Sequence, residues 1–206
     1  MIEYVIAQSP DDRVIQKACD LLNKEGIVVI PTDTNWVMTA SYDSKKAIDK
    51  LYRIKGVNKH HHFSLLCSDL SMASDVAVIQ DSSFRFIKKL IPGSFTFILE
   101  AQHKVTKLLQ ASKTDKEIGI RFPPGVLPKQ LISTFDKPLI STNITASMLG
   151  LDDSMVPYGY LIDEQFSHAV DLIVDPGEHE FLGQSTIISM TSDDIEIIRQ
   201  GVGILK

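Results

Sequence analysis

Several short apolar runs in this sequence end in hydroxyls, amides or a cation, the residue types that hold small polar ligands. Ile27 to Ile30 hands over to Pro31-Thr32-Asp33-Thr34. Two hydroxyls and a carboxylate at that point can bind a polar ligand, or can close a turn through side-chain-to-backbone hydrogen bonds. Arg121 lies inside the apolar stretch Ile118-Gly119-Ile120-Arg121-Phe122. An unpaired buried guanidinium is too costly to keep, so this arginine calls for an ion-pair partner or an anionic ligand. Leu139 and Ile140 run into Ser141-Thr142-Asn143-Ile144-Thr145, Ser185 precedes the apolar Thr186 to Met190, and Arg199 follows Ile195 to Ile198. The turn Pro92-Gly93-Ser94 leads to Thr96, which faces either a cleft or a neighbouring strand. Arg53, Lys55 and Lys59, with His60, His61 and His62, form the densest cationic stretch. It reads either as a solvated loop or as a site for phosphate or another anion. Adjacent histidines point in different directions and no spaced Cys/His set accompanies them, which argues against zinc. The phosphate-loop lysine motif, GxGxxG, HExxH and GxSxG are all absent. From the residues alone, the chemistry is that of polar strand ends and isolated arginines around a cleft for an anion.

The elements that must position these groups are readable in outline. Ser9-Pro10-Asp11-Asp12 has the form of a helix start, with Ser9 as cap and Pro10 in the first turn. Val14, Ile15, Ala18, Cys19 and Leu22 follow at helical spacing, and Gly26 suits a left-handed helix end. A second helix begins after Ser44, with Ala47, Ile48, Leu51 and Ile54 on one face. Further helices are expected at Ser82–Leu90, Pro124–Phe135 and Tyr158–His168, and a weaker one at Val105–Gln110. Strands are expected at Ile27–Ile30, Phe63–Cys67, Phe95–Glu100, Ile118–Phe122, Pro138–Ser141, Asp171–Val174, Thr186–Met190 and Ile195–Ile198. The last two are separated only by Thr191 to Asp194, which predicts a hairpin. The mixed order favours a mixed sheet with helices packed on it over a doubly wound parallel fold, and no linker or repeat divides residues 1–206, so one domain is expected.

Composition narrows the function classes. The chain has 206 residues, 44% hydrophobic and 23% charged, within the range of ordinary globular domains. Cys19 and Cys67 are too few for a disulfide framework and fit a reducing cytosol, and the opening residues turn acidic within twelve positions, unlike a leader. No apolar run approaches the ~20 residues needed to span a bilayer, so no membrane partner is expected. A net charge of −5 argues against broad coating of nucleic acid.

Taken together and in order, six segments resemble the YrdC/YciO family over roughly residues 5 to 203. They are Gly26 to Thr34, Arg53-Ile54-Lys55-Gly56, Pro92 to Leu99, Ile118 to Pro123, Pro138 to Thr142, and Gly183 to Ile188. His62 to Ser71 and Gln200-Gly201-Val202-Gly203 are closer to the YciO branch than to the synthases. The resemblance implies an α+β, three-layer fold: a twisted mixed β-sheet with flanking helices and a concave, positively lined cleft. In the family's synthases that cleft joins L-threonine, bicarbonate and ATP into threonylcarbamoyl-AMP with release of pyrophosphate, for threonylcarbamoyladenosine formation in tRNA. The family is also described as binding double-stranded RNA. By position, Thr32, Arg121, Ser141 and Ser185 match threonine or carbamate contacts, and Lys55, Asn143 and Arg199 match ATP contacts. Lys55 and Arg121 are the implied catalytic cations; Mg2+ travels with ATP as substrate; RNA or tRNA is an implied partner, and the cytoplasm the implied location. The signature is altered, however. The synthases' lysine-x-arginine reads Lys55-Gly56-Val57, their serine-x-asparagine reads Asn143-Ile144-Thr145, and Val37 replaces a glycine, adding bulk beside the threonine loop. These changes raise a second expectation, a diverged protein that binds a nucleotide or double-stranded RNA in the same cleft without synthesis.

Overall fold

The computed structural model describes residues 1–57, 61–103, 105–106, 116–152, 155–192 and 194–205. Short apolar runs form the strands, as their composition dictates. In chain order these are β1 (Ile2–Tyr4), β2 (Val28–Pro31), β3 (Trp36–Ser41), β4 (Ser64–Leu66), β5 (Ala77–Val78), β6 (Phe95–Ala101), β7 (Glu117–Arg121), β8 (Leu139–Asn143), β9 (Leu172–Asp175), β10 (Thr186–Ser189) and β11 (Glu196–Arg199). The helices are α1 (Asp12–Asn23), α2 (Lys45–Lys55), α3 (Leu70–Ser74), α4 (Asp81–Lys88), α5 (Val126–Phe135) and α6 (Gly159–Phe166), with a 3-10 turn at Ala146–Leu149.

All the strands join one mixed sheet in the order β1-β9-β2-β3-β8-β4-β7-β6-β10-β11, with β5 paired to β6. The β1–β9, β2–β9, β4–β7 and β6–β10 pairs are parallel and the others antiparallel. Helices cover both faces. On one side Ile15, Ala18 and Leu22 of α1 and Leu131, Ile132 and Phe135 of α5 pack on Val28, Ile30, Val37, Leu172 and Val174. On the other, Ala47, Ile48 and Leu51 of α2, Ile87 of α4 and Ile162 of α6 join a larger core with Trp36, Phe97 and Ile173. This is the mixed, helix-flanked architecture expected, and the β10–β11 hairpin pairs as predicted.

The differences lie mostly at element ends. Asp11, not Ser9, caps α1: its carboxylate accepts the Arg13 N–H at 2.8 Å, and negative charge suits a helix N-terminus. Ser9 instead bridges Ile6. The left-handed residue ending α1 is Glu25, with φ 63°, rather than Gly26. The N–H groups of Glu25 and Gly26 return to the carbonyls of Leu22 and Leu21, a paired closure that leaves room at Gly26 for no side chain, since a Cβ there meets Leu21 O at 2.7 Å. β8 continues through Asn143, so Ser141, Thr142 and Asn143 are strand residues rather than a loop after a strand. β1, β3, α3 and β5 were not anticipated. β3 is buried at every position, so it shows none of the alternation that marks a one-sided strand. Of the weak helix at Val105–Gln110, residues 107–110 lie outside the described residues, as do Lys59 and His60. Among the described residues no helix is long and apolar enough to cross a membrane.

Candidate functional site

One face of the sheet changes character across its width. Partners in register share a face, so Thr39, Ser141, Ser64, Gly119 and Ile98 form one row from β3 to β6. Two residues along, the same face carries Arg121 and Thr96. On the β2–β3 half, α1 and α5 cover this face with apolar side chains. From β8 onward the row carries Ser141, Ser64 and Gly119, with Ile98 beyond them. Gly119 keeps the row low, since a Cβ there meets Ser64 Oγ at 3.2 Å and Thr96 Cγ2 at 3.3 Å.

Arg121 ends β7 and is 4% exposed. Its Nη2 donates to Thr34 Oγ1 at 2.7 Å and Asp33 Oδ1 at 3.2 Å, and Ser94 Oγ donates to Asp33 Oδ2 at 2.5 Å. The guanidinium thus has its ion-pair partner, buried on both sides. Between β3 and β7 lie β8 and β4, about 14 Å of flat sheet. A direct contact over that span requires the sheet to curl and the β2–β3 loop to arch over it, which makes the face concave. Arg121 Nε is buried and has no partner among the described residues. Burial pulls the Arg121 pKa downward, Asp33 opposes this, and the charge of Arg199 adds to the downward pull, so the two arginines share one region.

The turn and ligand readings of Thr32 to Thr34 divide between residues. Thr32 builds the turn: its N–H and hydroxyl both donate to the Asn35 carbonyl at 2.9 Å, and its oxygen accepts from Thr34 N and Asn35 N at 3.3 Å. Behind it, His179 Nε2 meets Thr32 O at 2.9 Å and the Leu182 N–H donates to Asp33 O at 2.8 Å. A cavity of about 660 Å3 opens beside the loop, lined by Thr32, Asp33, Pro124, Leu127, His179 and Leu182.

Ser185 shares a 2.8 Å hydrogen bond with Thr96, which resolves the direction of Thr96 towards the cleft face. Arg199 Nε and Nη2 both donate to Ser185 O, at 3.2 and 2.8 Å. Gly201 permits this close pass, because a Cβ there meets Gln184 O at 2.2 Å.

A separate group forms at the end of β8. Lys55, in the last turn of α2, is half-buried and donates to Asn143 O at 2.7 Å; burial pushes its pKa down. Ser141 Oγ donates to Ser64 O at 3.1 Å. Val57 packs against the apolar core, and Thr145 hydrogen-bonds Ser147 at the head of the 3-10 turn. His61 stands edge-on to Phe63, and burial, then Lys55, then His62 hold its pKa down.

The structure therefore brings Arg121, Ser185 and Arg199 together, with Thr32 building the loop above them, and sets Lys55, Ser141 and Asn143 along β8. Arg53 bonds its own helix through Nε at Asp49 O and lines a cavity of about 450 Å3 with Lys50, Ser167 and His168. Val37 is fully buried in the core formed with α1 and α5, one residue pair from the end of the β2–β3 ladder. Asp33 and Thr34 as partners of Arg121, Ser94 as the donor that holds Asp33, and His179 as a prop of the loop were missed. The carboxylate in the Thr32–Thr34 loop and the lone buried arginine were the available signal for the first of these.

Fold and site together define a class: a mixed-sheet protein with a curled, half-uncovered face on which Arg121, Ser185 and Arg199 come together. The profile of the Sua5/YciO/YrdC family, described as telomere recombination, matches residues 20–201. The chain is 31% identical to the uncharacterized protein YciO of Escherichia coli (strain K12) over 98% of this chain and 96% of that one. The crystal structure of E. coli YciO superimposes with a TM-score of 0.86, covering 100% and 98% of the two chains. A putative threonylcarbamoyl-AMP synthase of Methanocaldococcus jannaschii is 28% identical over 91% of this chain and 87% of its own. The fold is shared with P. abyssi Sua5 complexed with L-threonine, at a TM-score of 0.81 and 19% identity, over 97% of this chain and 57% of that one. The chain belongs to the Sua5/YciO/YrdC family, and is related at modest identity to its threonylcarbamoyl-AMP synthases.

Proposed function

We propose that the cleft binds an L-amino acid and a nucleotide and carries synthase-type chemistry: L-threonine, bicarbonate and ATP to threonylcarbamoyl-AMP and pyrophosphate. The observation that carries this reading is Arg121, buried at the base of a polar concavity with an unpartnered Nε, beside Ser185 and Arg199. A carboxylate is well matched by a guanidinium fork. In this reading Arg121 holds the threonine carboxylate, with Thr32 shaping the loop over it and Ser141 and Ser185 lining the floor. Lys55 and Arg199 neutralise phosphate, and Asn143 sets the position of Lys55 through its carbonyl. Mg2+ enters as part of the ATP substrate. The threonine amine adds to the carbon of bicarbonate, whose C–OH bond breaks with loss of one water, and an oxygen of the resulting carbamate then displaces pyrophosphate from the α-phosphorus. Positioning and charge neutralisation, rather than a covalent nucleophile, carry such a step.

A second reading, a diverged cleft that binds nucleotide or double-stranded RNA without synthesis, is favoured by Val57. Its half-buried side chain packs against the core and carries no charge, so the family's phosphate-binding arginine has no counterpart at that position. That loss removes a charge-assisted contact of about 1.5–3 kcal/mol. One assay separates the two: purified protein with threonine, bicarbonate and labelled ATP, analysed for threonylcarbamoyl-AMP and pyrophosphate. Product above an Arg121→Ala control supports synthesis. Nucleotide binding with no product above that control leaves the second reading standing alone.

A further inference from the structure

The last strand of the sheet is paired on one edge only. β10 runs antiparallel to β11, and among the described residues nothing pairs with the outer edge of β11. All four residues of β11 are exposed, with Glu196 and Arg199 at its ends, Ile197 (45%) and Ile198 (52%) between them, and Ile195 (46%) just before the strand. Leu182 at 58% and Val202 at 38% extend this surface around Gly183. Monomeric proteins commonly blunt a free edge with lysine, proline or inward charge. Here two exposed isoleucines stand between Glu196 and Arg199, an apolar stretch that a second strand would bury.

The charges on β11 select the occupant. Glu196-Ile197-Ile198-Arg199 carries opposite charges at equal distances from its midpoint. We propose that β11 pairs antiparallel with β11 of a second copy of this chain, about a two-fold axis between Ile197 and Ile198. In that register Glu196 of each copy lies opposite Arg199 of the other, and Ile197 lies opposite Ile198. Two symmetric ion pairs and two apolar pairs result.

Residues three apart on a regular strand point to opposite faces, which would defeat those ion pairs. β11 is not regular. Its register against β10 shifts between Ile187 and Ile188, so that Arg199 lies opposite Ile187 and Glu196 opposite Ser189. Ile187 and Ser189 are two apart and share a face. The irregularity therefore puts Glu196 and Arg199 on the same face, as facing pairs across a two-fold axis require. Arg199 uses Nε and Nη2 on Ser185, leaving Nη1 for a carboxylate. The pairing also sets the two Arg199 side chains, and so the two clefts, beside the shared edge.

Sedimentation velocity over a concentration series tests this, with thermal melts to check that each variant folds. The wild-type chain is expected to pass from 22.9 kDa to twice that mass as concentration rises. Glu196→Arg and Arg199→Glu each place like charges opposite one another and should weaken the dimer about tenfold or more. The double exchange Glu196→Arg/Arg199→Glu restores the pairs with reversed polarity and should recover the dimer. A wild-type chain that stays monomeric at its highest soluble concentration overturns the proposal. So does a dimer that the single variants leave intact, or one that the double exchange does not recover. Because the readout is mass alone, none of these outcomes depends on whether the cleft is catalytic.

Discussion

Burying the Arg121 guanidinium costs several kcal/mol unless an anion accompanies it, and Asp33 is that anion, held in turn by Ser94. Removing the charge while keeping the shape, as in Asp33→Asn, leaves a buried cation alone. Urea unfolding should show a loss of about 3–5 kcal/mol. The same variant frees Arg121 for an outside anion, so phosphate should raise its melting temperature more than it raises the wild type's. Equal protection of both would show that Asp33 does not compete with ligands for Arg121. Lys55 presents the opposite case, a half-buried ammonium that donates to the Asn143 carbonyl and the Met148 sulfur. Burial lowers its pKa from the ordinary 10.5, so the unfolded chain binds more protons between the two values and stability rises with pH across that window. At neutral pH the folded ammonium carries the burial cost. Lys55→Met should therefore keep or gain stability at neutral pH, lose the alkaline rise in urea unfolding, and bind ATP about tenfold more weakly. The need of Arg121 for a partner was legible because an arginine in an apolar strand has few alternatives. The identity of that partner was not, because Asp33 stands 88 positions away and only the curl of the sheet brings it across.

Elements were legible where local signals agreed with the fold. β2, β6 and β9 are short apolar runs bounded by breakers, and α2 carries both its Ser44 cap and its Gly56 stop. β3 was hidden because it is buried on both faces and follows a polar loop without a distinct boundary. β1 and β5 have three and two residues, and their pairing rests on neighbours elsewhere in the chain. The Gly56 stop matters to the site, since it ends the helix immediately after Lys55. Its φ is +68° and nothing lies within 4 Å of where a Cβ would stand. A side chain there meets only the conformational cost of the left-handed region, about 1–2 kcal/mol. Gly56→Ala should lower stability in urea by about 1 kcal/mol, and Gly56→Asn by less, because asparagine tolerates that region. An asparagine variant less stable than the alanine one would mean that something other than backbone conformation sets the cost. The corrected start of α1 teaches the same lesson in reverse: two acceptable caps stood within three residues, and the carboxylate of Asp11 prevailed.

For the whole molecule, the balance of 21 basic against 26 acidic side chains is distributed unevenly. Among the described residues, the pairs Met1–Asp163, Arg13–Asp11, Lys46–Glu25 and Lys137–Asp43 are at largely exposed positions, where each contributes little. Arg121 and Arg199 share one region, where Asp33 already neutralises the first, and Lys55 stands apart at the end of β8. Arg53 is exposed and lines another cavity. In the proposed function Arg199 and Lys55 are the two cations that would meet phosphate, against a chain that is negative overall. Each phosphate neutralised on a duplex contributes about −0.9 to the slope of log affinity against log salt. Binding of a short RNA stem, followed by fluorescence anisotropy across a salt series, should accordingly give a slope no steeper than about −2. Proteins that track a duplex through six to ten phosphate contacts give slopes several times larger. A steep slope here would place the RNA on a broad basic surface outside the cleft. A shallow one that Lys55→Met reduces by about one would place a phosphate at Lys55 itself.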